Sequence, residues 1–228
     1  MRAQPLTRPI ITQIAACAAL LALPAMPPAN ATTQQQPKSA MRVVAFGTSL
    51  TARGGWQQAL EAQLARCLRI KVDVVTLAKS GAGSDWGVQS VASVVEADPD
   101  VVLVEFSVND AAIHRGGGFD KSRDNIRAIV GAIRERRPDA RIFLMAMNPA
   151  SGWRKLIRPY LNAYYDSYRP LSQQLGVGFI DHRPTWKTLT ETELQSAIPD
   201  GVHPDPKVAA TLIVPNIVRA VAGSSCEG

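Results

Sequence analysis

A three-layer α/β/α sandwich on a mostly parallel, roughly five-stranded sheet is the architecture this 228-residue sequence implies. Short β-branched runs alternate with helical stretches along the chain, and most of those runs are near-continuously apolar, as strands buried on both faces are. Composition agrees. Apolar residues make up 46%, charged residues 19% and aromatic residues 6%, with 16 Gly and 16 Pro but no Gly-X-Y period. Such a chain can bury one proper core and is neither disordered nor collagenous. No internal repeat and no domain linker interrupts residues 41–228, so one domain is expected there.

Residues 41–46 (MRVVAF) form an apolar run stopped by Gly47 and read as the first strand. Trp56, Leu60, Leu64 and Leu68 recur every fourth residue, one face of a helix over 54–68. Residues 70–77 (IKVDVVTL) read as the second strand, followed by a Gly-rich loop at 80–84 and a helix over 86–97 that Asp98-Pro99 ends. Residues 101–106 (VVLVEF) read as the third strand. Ile126, Ile129, Val130 and Ile133 mark the buried side of a helix over 120–137, and 140–145 and 177–180 supply strands four and five. Residues 158–175 look helical, with Pro170 expected to end or kink them, and a last helix over 206–221 carries a kink site at Pro215.

The first 31 residues read as an address, not as fold. Arg2 and Arg8, an apolar stretch from Pro9 to Leu23, and a Pro-rich segment ending Ala29-Asn30-Ala31 match the three regions of a signal peptide, with cleavage expected after Ala31. The apolar run, broken by Thr12 and Gln13, is too short for a stable membrane span. A competing pattern, the lipobox Ile14-Ala15-Ala16-Cys17, would anchor a lipoprotein at Cys17, but the longest apolar run follows that cysteine instead of preceding it. The expectation is an exported chain, periplasmic or released, with residues 32–40 as a flexible lead-in. Loss of Arg2 and Arg8 takes the formal charge from +6 to +4, and the remaining cations are scattered, so nucleic acid is not the expected partner. Export leaves Cys67 and Cys226 as the two thiols of an oxidising compartment. A disulfide between them would tie the tail to the first helix; the alternative is a half-buried Cys67 and a free tail cysteine.

Open parallel sheets bind ligands beyond the carboxyl ends of their strands. There the sequence places Ser49 just past Gly47-Thr48, the glycines of Ser80-Gly81-Ala82-Gly83-Ser84, and Asn109 within Ser107-Val108-Asn109-Asp110. Late in the chain, Asp200 precedes His203 by three residues across Gly201, a spacing that lets the carboxylate hold the ring nitrogen facing away from a substrate. Singly these are an ordinary helix cap, a turn, and a surface pair or metal fragment. Together and in this order they point to nucleophilic catalysis.

With these blocks in place, nearly the whole mature chain resembles the SGNH hydrolases, also called the GDSL esterase/lipase family. The resemblance rests on Ser49 in GTSL, Gly81 in SGAGS, Asn109 in SVND, and Asp200 with His203 in DGVHPD. It implies the flavodoxin-like SGNH fold, Ser49 as nucleophile, His203 as general base, Asp200 as its orienter, and an oxyanion hole from the Ser49 and Gly81 amides and the Asn109 side chain. It implies no cofactor and no metal. The implied activity is that of an exported serine carboxylic-ester hydrolase working through an acyl-enzyme on short acyl esters, such as acetylated carbohydrates or small lipid-like esters. Two alternatives stand beside it: a polysaccharide O-acyltransferase with the same nucleophile, and an inactive carbohydrate-binding domain.

The sequence also departs from the family pattern. Thr48 replaces the usual Asp beside the nucleophile, Ser107 replaces a Gly, and Leu77 or Ala78 stands where an Asn commonly leads the second block, so the oxyanion amide lies between Gly81 and Gly83, with Gly81 favoured. His114 is expected on a surface loop and His182, adjacent to Asp181, in a structural role. Asp110 is expected to hold nearby loops by hydrogen bonding and Trp56 to pack in the core, while Trp86 is a candidate for the pocket edge. The aromatic and basic stretch 151–168 reads as a lid, a sugar-stacking wall, or a solvated amphipathic helix.

Overall fold

The computed structural model describes residues 39–226; the expected signal peptide, Cys17 and most of the lead-in lie outside the described residues. Five strands form one sheet: β1 (Ala40–Gly47), β2 (Lys71–Ala78), β3 (Val101–Glu105), β4 (Arg141–Ala146) and β5 (Gly178–Asp181). Their order is β2-β1-β3-β4-β5 and every neighbouring pair is parallel. The described helices are α1 (Ser49–Ala52), α2 (Gln57–Leu68), α3 (Ser84–Glu96), α4 (Ser107–Asp110), α5 (Phe119–Arg136), α6 (Gly152–Leu156), α7 (Leu161–Leu175), α8 (Arg183–Trp186), α9 (Glu191–Ala197) and α10 (Pro206–Ala222).

The period-2 geometry of a strand divides the core into two layers. Val43, Ala45, Val101 and Leu103 point to one face and pack with Leu60 and Leu64 of α2 and Ile213 and Ile217 of α10. Val44, Phe46, Val102 and Val104 point to the other and pack with Val94 of α3 and Ile126, Ile129 and Ile133 of α5. This is the expected sandwich, and it brings the ends of β1, β2 and β3 side by side. None of the described helices is long and apolar enough to cross a membrane.

Several boundaries differ from expectation. The first long helix begins at Gln57 instead of residue 54, because Gly54 and Gly55 belong to the loop that the Trp56 indole closes on the Leu50 carbonyl (3.1 Å). Helix α7 begins at Leu161: Pro159 keeps Arg158 out of the helix, in a turn. Pro170 does not end α7, nor does Pro215 end α10. Both lie on exposed faces, where water can serve the carbonyl each leaves without a donor. Cys67, in the last turn of α2, and Cys226, in the 3-10 turn after α10, are joined as a disulfide with Cα atoms 5.4 Å apart.

Candidate active site

The turn that carries Ser49 is built where β1 runs out. A Cβ on Gly47 would lie 2.7 Å from the Glu105 backbone oxygen, so only glycine lets β1 and β3 approach this closely here. Thr48 caps the one-turn α1, its hydroxyl accepting from the Leu50 amide (3.2 Å), and Ser49 follows at 7% exposure. Beneath this turn lies Glu105, the last residue of β3, at 1% exposure. Its carboxyl accepts hydrogen bonds from the Thr48 amide (2.6 Å), the Thr48 hydroxyl (3.0 Å) and the Thr51 hydroxyl (2.8 Å). Burial pushes the Glu105 pKa up to about 7, against the lowering effect of those bonds.

His203 arrives from a distant turn. Asp200 accepts from the Val202 amide (3.0 Å) and the His203 amide (2.7 Å), which closes the loop and aims the imidazole back at the sheet. Gly201 makes the turn possible: its φ is +82° and a Cβ there would lie 2.7 Å from the Ser151 carbonyl oxygen. Burial alone would raise the Asp200 carboxyl, but the bonds from the His203 ring, the His203 amide and the Val202 amide outweigh it and hold the pKa at about 2. Ionised Asp200 can only accept, so His203 Nδ1 donates to its Oδ2 (2.6 Å), leaving Nε2 of the neutral ring to accept from the Ser49 hydroxyl (2.8 Å). Ser49, His203 and Asp200, separated by up to 154 residues, thus form one continuous relay.

The other expected oxyanion donors stand in the segments that follow β2 and β3. Asn109 is 7% exposed; its Nδ2 donates to the Ala82 carbonyl (2.8 Å) and its Oδ1 accepts from Arg158 Nη2 (3.3 Å), which fixes the sense of the amide and leaves Nδ2 a second proton. Between the two candidate glycines, Gly81 borders open space while Gly83 is hemmed in by Asp110, Asp85 and Arg115. Arg115 also donates to the Gly81 carbonyl, steadying this loop.

The other candidates fall away from the relay. His114 is exposed on a 3-10 turn. His182 is fully buried, with Asn216 Nδ2 3.3 Å from its Nδ1, and burial pushes its pKa down to about 4. Asp181 pairs instead with Arg183 (2.7 Å). Asp110 holds the Ser84 amide (2.8 Å) and the Ser122 hydroxyl (2.5 Å), and Trp56 is buried in the core. The Trp86 ring packs against Phe46 and Phe106 on the α3 face of the sheet. The stretch 151–168 divides, with Tyr164, Tyr165 and Tyr168 buried while Trp153, Leu156 and Tyr160 are exposed. A cavity of about 710 Å³ is lined in part by Trp153, Arg154, Glu191, Gln195 and Asp200. Glu105 and Arg158 were not singled out from sequence, because their site contacts lie 49 or more residues away and follow no local pattern.

Comparisons with known proteins bear on the fold and the family. A family model described as the GDSL-like lipase/acylhydrolase family matches residues 45–210, a span holding all the proposed site residues. A GDSL esterase/lipase of Arabidopsis thaliana is 33% identical over 137 residues, 53% of this chain and 55% of that protein, so the chain spans about half the length of that relative. Among solved structures, a lipase/acylhydrolase from Enterococcus faecalis superposes with a TM-score of 0.68 at 20% identity, covering 80% of this chain and 96% of that one. An acetylxylan esterase from Geobacillus stearothermophilus gives 0.67 at 16% identity, covering 78% and 93%. The fold is thus shared with these enzymes, and the chain belongs to the GDSL-like lipase/acylhydrolase family.

Proposed function

We propose that this protein is an exported serine carboxylic-ester hydrolase acting through an acyl-enzyme. The observation that carries the reading is the relay from Ser49 to His203 to Asp200, at 2.8 and 2.6 Å. A neutral hydroxyl is a weak nucleophile at pH 7. In the proposed reaction His203 Nε2 takes the Ser49 proton as Oγ bonds to the ester carbonyl carbon, and Asp200 stabilises the imidazolium without taking the proton. The carbonyl oxygen, now negative, is met by the Ser49 and Gly81 amides and Asn109 Nδ2, donors fixed before the reaction begins. Collapse expels the alcohol, which receives its proton from His203. Water then bonds through its oxygen to the acyl carbon as His203 takes its proton, and collapse breaks the bond to Ser49 Oγ, which regains that proton from His203 as the acid leaves.

For substrate we propose a short acyl ester of a carbohydrate. The half-exposed Trp153 ring, with the Arg154 guanidinium 4.0 Å from its centroid, and the neighbouring Glu191 and Gln195 suit a hydroxyl-rich ring better than a fatty chain. The acetylxylan esterase of similar fold is consistent with this class. Export rests on the N-terminal pattern alone, and N-terminal sequencing of protein recovered from the periplasm or medium should begin at Thr32; a first residue at Cys17 would indicate the lipoprotein instead.

The test is hydrolysis of p-nitrophenyl acetate and of acetylated oligosaccharides. Ser49→Ala and His203→Ala should each lose on the order of six decades of kcat. His114→Ala and His182→Ala, assayed below their unfolding temperatures, should retain most of it. A dead His182→Ala with an active His203→Ala would overturn the assignment, and acetyl transfer to an added glycan in preference to water would identify a transferase.

A further inference from the structure

Arg158 sits in the turn between α6 and α7, at 6% exposure. Its Nε donates to the Val108 carbonyl (2.6 Å), Nη1 to the Arg154 carbonyl (3.3 Å) and Nη2 to Asn109 Oδ1 (3.3 Å). Among the described residues no carboxylate lies within ion-pair distance of it, whereas Arg183, less deeply buried, is flanked by Asp181 and Asp166. Asp200 acts on Arg158 electrostatically from farther off. Burial, with repulsion from Arg154, lowers the Arg158 pKa, but a guanidinium keeps its proton at any working pH. A buried cation without a counter-ion is costly, so its three acceptors, two carbonyl dipoles and one side-chain amide, must hold it in place.

We propose that Arg158 is a positioning residue of the oxyanion hole, holding and polarising the Asn109 amide so that Nδ2 faces and stabilises the developing negative charge. The inference rests on the acyl-hydrolase reading above. With Oδ1 held by a cationic donor and Nδ2 by Ala82, the Asn109 amide cannot flip without losing both bonds. Electron density drawn toward Oδ1 makes the remaining N–H a stronger donor. The charge, which has no carboxylate within ion-pair distance in the resting enzyme, gains a negative neighbour when the tetrahedral intermediate forms across the amide. Stabilisation that appears only then lowers the barrier without tightening substrate binding.

The test compares Arg158→Met, Arg158→Lys, Asn109→Ala and the Lys/Ala double variant by p-nitrophenyl acetate kinetics and by inhibition with phenylboronic acid, whose serine adduct is anionic and tetrahedral. Arg158→Met should lose about two decades of kcat with KM within about threefold, and boronate affinity should fall in parallel. Arg158→Lys should fall between, and in the Asn109→Ala background its effect should largely vanish, because both act through one amide. Unchanged kcat and boronate affinity in folded Arg158→Met, or a rise in KM alone, would overturn the proposal. If the Met variant does not fold, the Lys/Ala cycle decides, and additive losses contradict the inference. A wild type without esterase activity would instead remove the hydrolase reading, and this inference with it.

Discussion

Glu105 shows how much one buried carboxyl can fix. The residue beside Ser49 is a threonine where the family usually has an aspartate, and the structure shows what the hydroxyl does: with its own amide and the Thr51 hydroxyl, it donates to Glu105. A second carboxyl at 48 would face Glu105 at hydrogen-bond distance and force the pair to share a proton. The sequence hid this, because Glu105 ends an apolar run and looks like a strand terminus, while its partners lie 54 and 57 residues away. The raised pKa makes a prediction with a definite sign. Folding stabilises protonated Glu105, so that contribution is whole below the unfolded carboxyl's pKa of 4.5 and is lost as pH rises through about 7. Glu105→Gln carries no such proton, so relative to wild type it should gain about 3 kcal/mol of unfolding free energy between pH 4.5 and 8. Urea unfolding across that range measures it, and a difference independent of pH contradicts it.

Short segments, not long ones, carry the candidate active site. The strands were legible as short apolar, β-branched runs, and α2, α3, α5, α7 and α10 as longer stretches, α2 and α5 with apolar residues near every fourth position. Helices α1, α4, α6, α8 and α9 run four to seven residues and leave no such trace. Ser49 and Asn109 lie in two of them. These residues were found instead from chemistry: polar groups in fixed order where apolar strands stop. The turn that delivers His203 is equally local, since Asp200 holds two amides within three residues of itself. Gly201→Ala would strain that turn through both its positive φ and the Ser151 oxygen. It should destabilise the fold by about 1–3 kcal/mol, and kcat should fall as the imidazole is displaced while KM changes less. Kinetics at a temperature where the variant stays folded measure this; an unaltered kcat means that the turn does not aim His203.

Across the molecule, two apolar layers hold a parallel sheet whose carboxyl ends gather residues from the whole length of the chain. The alternation of apolar strands with helices made this arrangement legible, whereas the contacts of Arg158 were not, because a buried arginine in a basic stretch reads as a solvated one. The Cys67–Cys226 bridge spans 159 residues, nearly the full domain. In the chain-entropy account such a closure contributes up to about 5 kcal/mol, so replacing both cysteines by serine should lower Tm by roughly 10 °C or more, as calorimetry would show. An equal Tm after reduction would remove the bridge from the stability account. The central claim is that one activated oxygen carries the acyl group between two half-reactions. It is tested most directly by mixing enzyme with excess p-nitrophenyl acetate, following nitrophenol release in the first turnover, and mapping the acid-quenched protein by mass spectrometry. The predicted result is an acetyl group on the peptide containing Ser49, absent in Ser49→Ala, formed at a rate that accounts for turnover. Steady hydrolysis with the acetyl group on another residue would contradict the account.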